Sequence, residues 1–101
     1  MKKLSNLLKE ENAPTYRGFV RITYTDEFNV SEVAEYIRSI EGVTIVSTAG
    51  SDEINKVSTL KIKVRSTKSA EEAFKYVRHR AIKHPGIARF EIGTNSIERI
   101  E

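Results

Sequence analysis

Apolar residues recur along this chain with two alternating periods. From Gly18 to Thr25, Val20, Ile22 and Tyr24 alternate with Phe19, Arg21 and Thr23, the period of a half-buried strand. Val30, Val33, Ala34, Ile37 and Ile40 then form one stripe at helical spacing. Asn29 precedes that stripe as an N-cap, with Glu32 three residues on as the other half of a capping box. Gly42 stands where a C′ glycine ends a helix. A second strand is expected from Val43 to Thr48, followed by a polar hairpin loop from Ala49 to Lys56. Val57 to Arg65 alternates again, with Leu60, Ile62 and Val64 on one face. Ser69 and Glu72 predict a second capping box, and Ala70, Ala73, Phe74, Val77 and Ala81 a second helical stripe, stopped by Pro85 and Gly86. The last strand is expected from Ile87 to Ile92, with Ala88, Phe90 and Ile92 on its buried face. Ahead of all this, Leu4, Leu7 and Leu8 lie at helical spacing and Pro14 closes the segment, so a short N-terminal helix is expected.

The pattern is also doubled. Ser31 to Ile37 aligns with Glu71 to Val77, so that Glu32 falls on Glu72, Val33 on Ala73, Tyr36 on Tyr76 and Ile37 on Val77. Each helix then leads into a glycine and a β-branched residue, Gly42-Val43 and Gly86-Ile87. The order βαββαβ defines an α+β fold, a ferredoxin-like sandwich with two helices on one face of a four-stranded antiparallel sheet. The domain is expected over residues 17–93, between an N-terminal amphipathic segment (1–16) and a polar C-terminal tail (94–101).

Composition narrows the function. The chain has 101 residues, 39% hydrophobic and 31% charged, with a net charge of +3, which is ordinary for a globular domain and too mild a basicity to prove a nucleic-acid partner. It has no cysteine, which excludes disulfides, thiolate metal sites and cysteine nucleophiles. No apolar run is long enough for a signal peptide or a membrane span, so a cytoplasmic location without membrane contact is expected. Neither a phosphate-cradling glycine loop nor a G-x-S-x-G nucleophile elbow is present. His79 and His84 are five residues apart, on different sides of a helix, and do not form a chelating pair. Asp26, Glu27, Asp52 and Glu53 gather with His84 at one end of the expected sheet, but no spacing rule makes them converge. A protein that is not an enzyme, with no metal and no cofactor, is expected.

What remains is the sheet face away from the helices. Strand parity places Phe19, Arg21 and Thr23 there, with Thr59, Lys61, Lys63 and Arg65, and Ile87, Arg89 and Glu91. In the second strand Val43 and Ile45 compete with Thr44 and Val46 for that face; the repeat matches Val46 to buried Phe90, which would turn Val43 and Ile45 outward. Two uses follow. The surface Phe19, Arg21, Val43, Ile45, Lys61, Lys63, Ile87 and Arg89 would bury against a second copy, making a homo-oligomer. Alternatively, Phe19, Arg21, Lys61, Lys63 and Arg65, with Arg78 and Arg80 of the second helix, would hold a single-stranded nucleic acid weakly. RNA-recognition motifs share the topology but carry aromatics on the third strand, where this chain has Leu60-Lys61-Ile62-Lys63-Val64-Arg65.

The two capped helices, the Gly42-Val43-Thr44-Ile45-Val46 strand entry and the Pro85-Gly86-Ile87 entry resemble ferredoxin-like domains of the ACT type over residues 18–92. That resemblance implies regulatory association through paired copies. The glycine such domains usually carry after the aspartate ending the first strand is missing from Asp26-Glu27-Phe28-Asn29, and no ligand-site residue is carried over. The leucine-bearing start, the Gly18-to-Tyr24 strand, the Gly42-to-Gly50 run and Ile97-Glu98 are also similar to small proteins of marine tailed phages, which implies a role in virion assembly or host takeover. The reading taken forward is a non-enzymatic oligomerising module, with single-strand nucleic-acid binding as the alternative.

Overall fold

The structure is a computed structural model that describes residues 13–100. The expected N-terminal helix lies outside the described residues. The chain forms β1 (Thr15–Tyr24), α1 (Val30–Arg38), β2 (Val43–Asp52), β3 (Val57–Arg65), α2 (Ala70–Ala81), β4 (Ile87–Ile92), a 3-10 turn (Thr94–Ser96) and a short β5 (Glu98–Arg99). It is an α+β domain, with an antiparallel sheet in the order β2-β3-β1-β4 and β5 paired to β1 beside β4.

Local chemistry starts both helices where the sequence predicts. Asn29 Oδ1 accepts the Glu32 N–H at 2.9 Å and Glu32 Oε1 accepts the Asn29 N–H at 3.0 Å, a complete capping box. At α2 the forward half alone forms, from the Glu72 N–H to Ser69 Oγ at 3.3 Å. The end of α1 differs from expectation. Its cap is Ser39, and tight turns carry the chain on through Ile40 to Val43. Gly42 is therefore the entry residue of β2 and not the helix C′ residue. Its φ of +93° is one that side chains resist, and its carbonyl accepts the Arg65 N–H at 2.8 Å, which docks the turn on β3.

Both helices cover one sheet face. Val33 and Ile37 of α1, and Ala73, Phe74, Val77 and Ala81 of α2, share a single core with Val20, Ile22 and Tyr24 of β1 and with Leu60, Ile62 and Val64 of β3. β3 alternates buried and half-exposed residues from Ser58 to Val64, as its sequence does. Lys61 and Lys63 therefore lie on the side away from the helices. Ser58 Oγ is buried in the core without a hydrogen-bond partner among the described residues.

Two strands depart from simple alternation. In β2, Val43 and Val46 are both buried, and the register shifts between Val43 and Ile45. In β4, Ile87 and Phe90 are both buried while Ala88 is exposed, and the register shifts between Ile87 and Arg89. Each is a bulge, where two residues of one strand oppose one of its neighbour and the side-chain parity flips. The expectation that Val43 and Ile87 face outward is thereby corrected. Ile45 is paired in register with Lys63, and its side chain lies outside the described residues.

The hairpin and tail also differ. β2 runs to Asp52 because Gly50, Ser51 and Asp52 pair with Thr59, Ser58 and Val57; ladder partners override the turn-forming preference of those residues. β1 is longer than β4, and β5 fills the vacant stretch by pairing with Tyr16 and Arg17. Ser96 Oγ accepts the Phe19 N–H at 3.0 Å where the two short partners of β1 meet.

Candidate nucleic-acid interface

The sheet face away from the two helices, uncovered among the described residues, is built from alternate residues of β1 and β3. Antiparallel pairing sets Arg17 opposite Lys63, Phe19 opposite Lys61 and Arg21 opposite Thr59. β4 adds Glu91 opposite Arg21 and Arg89 opposite Thr23. β2 adds Ser47 beside Lys61. Phe19 is 40% exposed in the middle of this surface, with a cation opposite it and cations two residues away on its own strand.

Charge is distributed unevenly. Arg17 is paired with Glu98 of β5, and Arg89 reaches Glu91 at 3.5 Å. Among the described residues, no ion pair engages Arg21, Lys61 or Lys63, so positive charge predominates around the ring. Like charges directly opposite one another, as Arg17 and Lys63 are, destabilise a sheet. The Glu98 partner of Arg17 offsets part of that repulsion.

The expected site residues divide accordingly. Phe19, Arg21, Lys61 and Lys63 come together, with exposed Arg65 at the end of β3 and exposed Arg89 on the β4 edge. Val43 and Ile87 withdraw into the core. Arg78 and Arg80 are exposed on α2, on the helical side of the sheet, and share no surface with Phe19. Arg17 belongs to the face and was missed, because the strand was expected to begin at Gly18. Its place two residues before Phe19, in the same parity, was the available signal.

The acidic end takes a structural role. Asp26 pairs with Lys56 at 2.8 Å, and that ammonium holds its carboxyl below the usual range while Asp26 raises the lysine in return. Lys56 adopts a left-handed φ of 54°, and the ion pair and a bond from the Tyr24 N–H to its carbonyl at 2.9 Å hold it there. Asp52 accepts the backbone N–H groups of Asn55 and Ile54 at 3.0 and 3.1 Å and the Asn55 side-chain amide at 2.7 Å. The Asn55 bonds chiefly lower its carboxyl below 3.8. His84 packs against Phe28 and Tyr36, with ring centroids 4.5 and 4.8 Å away, and its Nδ1 accepts the Gly86 N–H at 2.9 Å. Gly86 itself has no room for a side chain, since a Cβ would sit 2.6 Å from the Phe28 ring. Among the described residues, no three histidine or acidic side chains converge as metal ligands.

A stability prediction follows from the turn. Because the folded Asp52 carboxyl titrates below its unfolded value, its contribution is present above about pH 4 and is lost as pH falls through the lowered value. Asp52→Ala should therefore lower stability near neutrality and flatten the fall in stability on acidification, read from thermal unfolding across pH. An unchanged acid limb would show that the turn bonds carry no stability.

No protein-family model matches this chain, and no curated protein matches it. None of the described helices is long and apolar enough to cross a membrane.

Proposed function

We propose that this domain is a non-enzymatic module that holds single-stranded nucleic acid on its uncovered sheet face. Phe19 serves as the stacking surface for one base, and Arg21, Lys61 and Lys63 neutralise the flanking phosphates. The observation that carries this reading is an exposed aromatic ring with a lysine opposite it and an arginine two residues away on either side along its own strand. With a single stacking surface and no ordered set of base-edge readers, binding is weak and tolerant of sequence.

Face-to-face self-association draws less support. Val43 and Ile87, two of the apolar residues it relied on, are buried. Two copies of this face would bring Arg21, Lys61 and Lys63 against one another. We read the strand order as ferredoxin-like, and the ACT-type and tailed-phage resemblances suggest regulation or virion assembly as the setting.

The test is binding of a fluorescent oligonucleotide of mixed sequence across salt. Three or four phosphate contacts predict a log–log slope of about −2 to −3, hence roughly 20- to 50-fold weaker binding between 50 and 200 mM salt. Phe19→Ala should weaken binding further by about 1–3 kcal/mol, the worth of one stacked base, while leaving the slope unchanged. Salt-independent binding, or none at low salt, would exclude the proposal.

A further inference from the structure

Among the described residues, the sheet has β2 at one edge and β4, continued by the short β5, at the other, and the two are unlike. β2 is interrupted twice, with register shifts between Val43 and Ile45 and between Thr48 and Gly50, and such bulges blunt an edge against pairing. β4 is regular from Arg89 to Ile92. The Gly93 N–H donates to the Phe19 carbonyl at 2.9 Å. In an antiparallel ladder the backbone groups alternate in direction, so those of Glu91 and Arg89 also turn toward β1, and those of Phe90 and Ile92 turn away from it. A groove of about 490 Å³ lies between β4 and α2, lined in part by Lys75, Arg78, Ile82 and Ala88. Ile82 is 46% exposed there.

We infer that β4 pairs antiparallel with β4 of a second copy of this chain, about a two-fold axis at Phe90. The charges select both the occupant and the register. In this arrangement the Phe90 N–H of each copy donates to the Phe90 carbonyl of the other. The neighbours on either side place Arg89 of one copy opposite Glu91 of the second, twice over, because the pattern Arg89-Phe90-Glu91 is complementary to itself when reversed. A register centred on Glu91 would set two glutamates against each other and is disfavoured. Antiparallel pairing of this kind keeps both uncovered faces on the same side of one continuous sheet, so two Phe19-centred surfaces would be presented side by side. The inference is independent of the nucleic-acid proposal and is tested without nucleic acid.

The experiment is sedimentation or light scattering of the full chain from low micromolar to near-millimolar concentration. The chain should pass from the mass of one copy to twice that mass. Glu91→Arg and Arg89→Glu should each remain single-copy, because each sets like charges across the axis. Mixing the two variants should restore a paired species, since two arginines then face two glutamates. That rescue separates an edge contact from misfolding, as neither variant touches the core. A single-copy mass throughout for the unaltered chain, or pairing that survives Glu91→Arg, would overturn the inference.

Discussion

Phe74→Ala is expected to cost about 3–5 kcal/mol of folding stability, the range for removing a buried aromatic ring. Phe74 is fully enclosed where α2 meets β1. Part of the cost lies in how the surroundings are built. Gly18 leaves room for the ring, since a Cβ there would stand 3.0 Å from it, and Ile97 closes the same site from the tail. β1 is tied into the sheet on both sides and cannot collapse into the void. Domains of this size have only about 5–15 kcal/mol in all, so the variant should sit close to its unfolding threshold. Urea unfolding measures this directly. Phe19→Ala, one residue beyond Gly18 but on the other side of the sheet, should change stability by less than about 1 kcal/mol. Equal losses at the two phenylalanines would mean that the sheet has no uncovered face.

Reversing Lys61 and Lys63 together to glutamate should have the largest effect on binding. Each reversal removes an attraction of about 1 kcal/mol to a nearby phosphate and adds a repulsion of similar size. The pair should therefore weaken oligonucleotide binding by about 4 kcal/mol, on the order of a thousandfold. Stability should change little. A glutamate at position 63 would remove a like-charge opposition to Arg17, but Glu98 already pairs with that guanidinium, so the change should stay within about 0.5 kcal/mol. Lost binding with a nearly unchanged melting temperature is the signature of a charge retained for a ligand. Lost binding with lost stability would instead assign the two lysines to the fold.

The same lysines show how much of this surface was legible beforehand. β3 alternates so cleanly that its faces could be read residue by residue, and the helices announce themselves through Asn29, Ser69 and their apolar stripes. The repeat held a further signal that alternation hid. Val43 and Val46 in one half match Ile87 and Phe90 in the other, and in both halves the buried residues are three apart just after a glycine. That spacing fits neither a plain strand nor a helix. It is what a bulge at the strand entry requires, and reading it as period two placed Val43 and Ile87 on the wrong side of the sheet. Arg17 was missed for a related reason. The length of β1 depends on partners that lie far away in the chain, among them a two-residue strand with no apolar residue of its own.

Taken alone, the amino-acid order determined where each helix begins, which stripe it buries, and which way β3 presents its lysines, because capping and periodicity act within a few residues. Only the folded sheet decided the bulges in β2 and β4, the docking of Gly42 on Arg65, the extension of β1 to Arg17 and the separation of Arg78 and Arg80 from Phe19. Those features depend on ladder register and layer order, where hydrogen-bond partners and core contacts between distant segments outweigh the preferences of single residues.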